Sequence, residues 1–140
     1  MQLLHTMFDV LEEKGDALSF LSHSVYRIEF HADHVIYQAH FPGKPITPGV
    51  CIIKIITEIL EQQMQQSLLL QEVKNLKFVS PISPIDVPEV DICFSKIEKS
   101  VESGLPSSDT YEERSCLQVR GTIFLNDKIY TKFSLIYKIS

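Results

Sequence analysis

Residues 40–66 read HFPGKPITPGVCIIKIITEILEQQMQQ, a loop rich in proline and glycine followed by a long apolar run. Three prolines and two glycines fall among residues 42–49, and because proline fixes φ and removes a backbone donor, this part is predicted to be an ordered loop. Neither residue type interrupts residues 50–66, which predicts a long helix with Thr47 as its cap and Pro48 at its first position. The first half of this helix is apolar on almost every side, so we expect other elements to wrap around it.

One narrow polar stripe interrupts the apolar surface of this predicted helix. Its members recur at helical spacing and are Lys54, Glu58, Glu61, Gln62 and Gln65. The stripe is expected to face solvent. Lys54 and Glu58 lie one turn apart, so we expect them to pair.

The two-residue alternation that is typical of half-buried strands recurs before and after the helix. It predicts strands at residues 24–31, 76–78, 90–95, 119–125 and 129–139. A tight turn at Asn126-Asp127 joins the last two, because Asn tolerates the left-handed conformation. The polar residues 98–114 are predicted to form an exposed hairpin extension.

The beginning of the chain has a different spacing. Apolar residues between Leu3 and Leu11 recur at helical intervals, which predicts a short helix followed by a turn around Gly15. With the rest of the pattern, this gives an α+β chain, a single domain over residues 1–140, in which an antiparallel sheet of about five strands curls around one long helix. Such a sheet cannot cover the helix or protect its own edge alone, so we expect at least a dimer.

Composition excludes several classes of function. The chain has 13 Lys and Arg against 18 Asp and Glu, a net charge of −5, and therefore lacks the cationic footprint of a nucleic-acid-binding protein. No apolar run reaches the roughly 18 residues that a membrane span needs, and no basic region precedes an apolar stretch at the start. Three widely spaced cysteines, Cys51, Cys93 and Cys116, favour reduced thiols and a cytoplasmic location. No metal site is predicted.

Residues 40–50 resemble the signature of the 3-hydroxyacyl-acyl-carrier-protein dehydratases, His-Phe-Pro-Gly-x-Pro-x-x-Pro-Gly-Val, with every fixed position present. In that family the motif lies at the mouth of the central helix of a hot-dog fold. The resemblance covers residues 24–95, with weaker agreement outside the motif at residues 32–34 and 78–86, and covers the remaining strands only by pattern. The resemblance implies a hot-dog lyase that eliminates water from a 3-hydroxyacyl thioester to give the 2-enoyl thioester, as in fatty-acid-type biosynthesis. It implies no cofactor beyond the phosphopantetheine that carries the substrate.

Such an elimination needs a base, a donor for the developing enolate oxygen and an acid. His40 is the candidate base, because an imidazole with a pKa near 6.5 is largely neutral at physiological pH. Gly49 and Val50 open the helix, where free backbone N–H groups could hold the thioester oxygen. The other candidate substrate-binding residues belong to the same loop and are Phe41, Pro42, Gly43 and Pro48.

This chain departs from the family at the residue that would act as the acid. The family has a Glu fourteen positions after the motif His, where in the dimer it meets the His of the other subunit, and this chain has Lys54 there. An ammonium starts from a pKa of about 10.4 and needs strong desolvation to act as an acid. Glu58, one helical turn and roughly 6 Å further along the axis, is the remaining carboxylate candidate.

Three functions therefore remain open. The chain is a working dehydratase with His40 and Lys54 or Glu58, a non-catalytic acyl-binding subunit paired with a Glu-bearing sister chain, or a hot-dog thioesterase in which Glu58 activates water. The expected partners are an acyl-carrier protein or an acyl-CoA, and a second subunit in a homodimer, higher oligomer or heterodimer. A carrier protein is acidic, so a local basic patch is expected, with Arg27, Lys74 and Lys77 as candidates.

Overall fold

The computed structural model describes residues 2–14, 24–103 and 113–139. These parts of the chain form six strands and two helices. In chain order they are β1 (Phe8–Lys14), β2 (Ser24–Phe30), α1 (Val35–Ala39), α2 (Gly49–Met64), β3 (Leu68–Phe78), β4 (Glu89–Ser103), β5 (Glu113–Leu125) and β6 (Lys128–Ile139).

The strands form one antiparallel sheet in the order β1-β2-β4-β5-β6-β3, so β1 and β3 are its edges. The sheet curves around α2. The predicted alternation is clear in β2, where every second residue from Ser24 to Phe30 is buried, but not in the edge strand β3, which is exposed along most of its length. The α+β architecture with a central helix is thereby confirmed, with one strand more than the five predicted.

The core lies between the sheet and α2. Eight consecutive or nearly consecutive positions of the helix are buried, namely Cys51, Ile52 and residues 55–60. They pack against inward-facing side chains of the sheet, among which Phe94, Leu117, Val119, Phe133, Leu135 and Tyr137 are almost fully buried. The expectation of a wrapped helix is confirmed, because burial extends well beyond the width of one amphipathic stripe.

The helix predicted between Leu3 and Leu11 is wrong. Residues 3–7 form a tight turn in which the carbonyl of Leu3 accepts N–H bonds from Thr6 and Met7, and β1 then pairs along β2. The helical spacing arises because the turn buries Leu3, Leu4 and Met7 while the strand buries Phe8. Pairing with β2 outweighs the local pattern. The turn predicted around Gly15 lies outside the described residues.

The start of α2 also differs from the prediction. The helix begins at Gly49, one residue later than the predicted first position at Pro48, which is instead the cap residue and makes no side-chain capping bond. Thr47 is instead buried, and its hydroxyl lies 3.0 Å from the hydroxyl of Tyr37 in α1. The helix ends at Met64, because Gln65 adopts the left-handed conformation with φ of 53°.

The remaining strand predictions hold with longer bounds. Residues 98–103 of β4 pair with residues 113–118 of β5, so the predicted hairpin extension is a paired ladder whose tip lies outside the described residues. Asn126, with φ of 53°, turns the chain between β5 and β6 as expected. Within the described ranges, neither helix has the length and apolar character needed to cross a bilayer.

Candidate functional site

The imidazole of His40 is held by the loop that follows it. His40 ends α1, and its backbone N–H donates to the carbonyl of Ile36 at 3.0 Å. Its Nδ1 lies 3.2 Å from the carbonyl oxygen of Ile46, whose own N–H returns to the carbonyl of His40 at 2.9 Å. A carbonyl can only accept, so in the neutral ring Nδ1 carries the proton and Nε2 keeps its lone pair.

The loop between His40 and α2 is braced on both sides. Phe41 and Lys44 exchange backbone hydrogen bonds around Gly43, whose φ of 75° suits glycine. Thr47 donates its N–H to the carbonyl of Ile82 at 2.8 Å, and this bond ties the loop to the connection between β3 and β4. Backbone contacts therefore position the imidazole, and no carboxylate of the described residues contacts it.

Aromatic rings lie on both ends of this loop. The ring of Phe41 stacks on His40, with centroids 4.0 Å apart and an interplanar angle of 26°. The ring of Phe78, from the end of β3, covers Gly49, where a Cβ would meet its Cζ at 2.7 Å. Both phenylalanines are about half exposed, so the entrance to α2 is bordered by accessible apolar surface.

The first turn of α2 has two backbone N–H groups that are bonded within the helix and two that are free. The bonded groups are those of Cys51 and Ile52, which donate to the carbonyl of Pro48 at 3.0 and 3.1 Å. The N–H groups of Gly49 and Val50 find no acceptor in the described parts of the chain. Val50 is strongly exposed, and the positive end of the helix dipole reinforces these donors. An anionic oxygen can bind here.

Lys54 and Glu58 do not share a cavity with His40 within one chain. They line a separate cleft of about 710 Å³ between α2 and the beginning of the chain, together with His5 and Glu61. Lys54 is half-buried, and none of the described residues forms an ion pair with it. The Lys54–Glu58 pair expected from their spacing is therefore absent.

The carboxylate of Glu58 is committed to the backbone of the N-terminal turn. Its two oxygens accept the N–H of Leu3 at 2.9 and 3.0 Å, and Oε1 also accepts the N–H of Leu4 at 3.1 Å. Glu58 is only 7% exposed, although its place in the polar stripe predicted a solvated side chain. The side chain buries because the turn supplies the hydrogen bonds that water would otherwise provide. No sequence signal revealed this contact between residues 55 positions apart.

Two aromatic or imidazole side chains near the motif have local structural partners. The Nδ1 of His34 accepts the N–H of Ile36 and caps α1. Tyr37 is buried against Thr47, and burial raises the pKa of its hydroxyl to about 12. The hydroxyl of Tyr37 therefore stays protonated near neutral pH.

The predicted basic patch is only partly available. Arg27 donates from Nε to Asp91 at 2.6 Å and from Nη2 to the same carboxylate at 2.9 Å, with Glu89 3.6 Å away. Asp91 holds the pKa of this guanidinium above its usual value. Arg27 is thus neutralised by its neighbours, whereas Lys74 and Lys77 are exposed on β3.

The arrangement of sheet and helix is shared with solved structures. The dehydratase heterocomplex ApeI:P from Xenorhabdus doucetiae matches with a TM-score of 0.53 at 10% identity, covering 91% of this chain and 95% of that chain. A conserved protein from Pseudomonas aeruginosa, PA5202, matches with a TM-score of 0.54 at 12% identity, covering 96% and 90%. Similarity at these identities establishes the fold.

Sequence relatives agree with this fold. A 3-hydroxyacyl-[acyl-carrier-protein] dehydratase FabZ from Latilactobacillus sakei is 24% identical over 100 residues, which are 66% of this chain and 71% of that protein. One from Clostridium acetobutylicum is 34% identical over 70 residues, 45% of this chain and 50% of that protein. The matches to further FabZ relatives likewise span about half of their length.

The fold and the loop that bears His40 define a hot-dog protein of the dehydratase type. A family model described as ApeI-like, ApeI dehydratase, matches residues 20–110, well over half of the chain. The chain belongs to the ApeI-like dehydratase family.

Proposed function

We propose that the protein eliminates water from a 3-hydroxyacyl thioester carried on phosphopantetheine, with His40 as the base. The observation that carries this proposal is the hydrogen bond from His40 Nδ1 to the carbonyl of Ile46, which leaves Nε2 unprotonated beside an accessible loop. Nε2 takes a proton from C2 of the substrate, and the hydroxyl leaves C3 as water after receiving a proton. The dehydratase family to which the chain belongs supports this chemistry.

The first turn of α2 supplies the second element of the proposed mechanism. Removal of the C2 proton places negative charge on the thioester oxygen, and the free N–H groups of Gly49 and Val50 are suited to stabilise it. Phe41, Pro42, Gly43 and Pro48 form the accessible rim against which we expect the acyl thioester to lie. The base and the oxyanion donors lie at the two ends of one braced loop, so the distance between them is fixed.

The proposed mechanism also needs an acid that protonates the leaving hydroxyl. Lys54 lines a cleft to which His40 does not contribute in one chain, so it can serve His40 only across a subunit interface. We therefore propose two versions of the assembly. In a homodimer, Lys54 of the second copy or a bound water protonates the leaving hydroxyl. In a heterodimer, a sister chain supplies a Glu, and the solved ApeI:P neighbour, which is a dehydratase heterocomplex, supports this version.

Glu58 is assigned a structural role in this proposal. Its two oxygens accept three hydrogen bonds from the N–H groups of Leu3 and Leu4, and the side chain is only 7% exposed, so a catalytic water has little access to this carboxylate. This observation disfavours the thioesterase among the three functions. We place the reaction in the cytoplasm, because Cys51, Cys93 and Cys116 are free thiols.

The test uses the purified protein and a 3-hydroxyacyl thioester of phosphopantetheine. Formation of the 2-enoyl thioester is expected, and His40→Ala should lower its rate about a hundredfold or more, the usual contribution of a general base. His31→Ala is the matched control, since His31 contacts Asp9 at 2.6 Å and does not line the cleft of Lys54. Release of free thiol without the enoyl product would refute the dehydratase in favour of a thioesterase.

The two assemblies are separated by copurification. An active homodimer of this chain alone supports the Lys54 or water version. A chain that is inactive alone, and gains activity with a Glu-bearing hot-dog protein expressed beside it, supports the heterodimer.

A further inference from the structure

A second cleft lies behind the His40 loop and has a different chemistry from the site described above. It encloses about 250 Å³ between the loop, the connection from β3 to β4 and the start of β6. We call it the Tyr130 cleft, and its polar lining residues are Lys44, Ser80, Ser83, Asp86, Lys128 and Tyr130. Ile46 also lines it, so the carbonyl bonded to His40 Nδ1 belongs to one of its walls.

Backbone contacts fix the frame of the Tyr130 cleft. The carbonyl of Tyr130 accepts the N–H groups of Val79 at 2.8 Å and Ser80 at 3.2 Å. The N–H of Val87 donates to the carbonyl of Ser83 at 2.7 Å and closes the turn on the opposite wall. The cleft is therefore preorganised by main-chain bonds, as a binding site requires.

The hydroxyl groups of the Tyr130 cleft have no hydrogen-bond partners among the described residues. Tyr130 is only 5% exposed, yet among the described residues nothing forms a hydrogen bond with its hydroxyl. The hydroxyls of Ser80 and Ser83 are likewise without a partner in the described ranges. Tyr130 lines the cleft and its hydroxyl is not sealed from solvent, so this unpaired hydroxyl is available to a ligand there.

The charge of the cleft points to an anion. Lys44 and Lys128 line it, and neither forms an ion pair with any described residue. Lys128 is held over the ring of Tyr130, 5.0 Å from the centroid, so its position is restrained. Asp86 is the single carboxylate on the lining, so the cations outnumber it in a chain whose net charge is −5.

We propose that the Tyr130 cleft binds a phosphate group. Two ammonium groups and three hydroxyls supply the donors that the oxygens of a phosphate accept. A volume of about 250 Å³ holds that group with several waters, each of which occupies about 30 Å³. Resting on the proposed function, the phosphate is assigned to the 4′-phosphopantetheine arm of the substrate. Anchoring it beside the His40 loop would hold the thioester end of the arm near the base.

The first experiment measures binding by calorimetry and does not depend on catalysis. It compares 4′-phosphopantetheine, pantetheine, which lacks only the phosphate, and inorganic phosphate at low ionic strength. We expect 4′-phosphopantetheine to bind at least about tenfold more tightly than pantetheine, and the difference to shrink with added salt. Equal affinities of the two arms would overturn the proposal.

Variants locate the site. Lys44→Gln and Lys128→Gln should each weaken phosphopantetheine binding about threefold to tenfold, and Tyr130→Phe should weaken it as well. Asp86→Asn should strengthen it, because it removes the one opposing charge. Lys132→Gln is the matched control, since Lys132 is exposed on the same strand but outside the cleft. A loss at Lys132 equal to that at Lys128 would place the phosphate elsewhere.

The outcome separates this proposal from the proposed function. Phosphate binding that depends on Lys44 and Lys128 in a protein without dehydratase activity would uphold the cleft and refute the function. Dehydration with the same KM for a pantetheine thioester and a phosphopantetheine thioester would uphold the function and refute the cleft. If inorganic phosphate binds through the two lysines while the arm gains nothing from its phosphate, the assignment to the substrate arm is wrong.

Discussion

His40 and Glu58 differ in how far their surroundings follow from sequence. The tautomer of His40 depends on Ile46, only six positions away, within a motif that was recognisable in full. Glu58 depends on Leu3 and Leu4, more than fifty positions away, in a stretch where periodicity predicted a helix. Helical spacing alone placed Glu58 in a solvated stripe. Sequence reasoning therefore finds side chains whose partners are local and misses those whose partners arrive through tertiary structure.

Replacing Glu58 tests its structural role. Glu58→Ala leaves the N–H groups of Leu3 and Leu4 without their acceptors, and we expect it to lower the free energy of unfolding by about 2–3 kcal/mol. Glu58→Gln keeps one acceptor oxygen and should lose less. Chemical denaturation measures both, with Gln62→Ala, an exposed change on the same helix, as the control near zero. Full stability combined with complete loss of activity in Glu58→Gln would instead indicate a catalytic carboxylate.

At the scale of elements, the start of α2 depends on a contact with the end of β3. The ring of Phe78 occupies the space that a side chain at position 49 would need. The sequence predicted the loop and the helix from their prolines and apolar run, but it assigned the cap to Thr47. Thr47 contacts Tyr37 instead, and this pairing between α1 and the loop has no periodic signature. Elements were predictable here, whereas their junctions were not.

Gly49→Ala tests this junction. The added Cβ would lie 2.7 Å from Phe78 Cζ, so the ring must move and the protein should lose about 1 kcal/mol of stability. Phe78→Ala in the same chain should remove that loss, giving a positive coupling in a double-mutant cycle. Gly43→Ala is the matched control, because its cost comes from a φ of 75° with open space around it. Additive effects of Gly49→Ala and Phe78→Ala would contradict the contact.

At the scale of the whole molecule, the two edges of the sheet are not equivalent. The β3 edge exposes Leu69 and Val73, which are 64% and 43% accessible. Both edges carry exposed charges, but the described β1 edge exposes a single large apolar side chain, Leu11. The expectation of a dimer stays a prediction, and the structure adds which edge should form it. A second copy at β3 would also cover exposed apolar surface.

Light scattering coupled to size exclusion tests the association. We expect the wild-type chain to run as a dimer or larger, and Leu69→Lys with Val73→Lys to shift it toward the monomer, because the charges oppose pairing at β3. Leu11→Lys makes the same change on the other edge and should leave the mass unchanged. A monomeric wild-type protein, or dissociation by Leu11→Lys alone, would contradict the assignment.

The measurement that bears most directly on the central claim follows the C2 proton itself. A 3-hydroxyacyl thioester carrying two deuterons at C2 is given to the assembled protein, and deuterium release to solvent is measured with the enoyl product. One deuteron should leave for every enoyl thioester formed, and His40→Ala should slow both about a hundredfold or more while remaining folded. Undiminished release by His40→Ala would show that another group takes the proton.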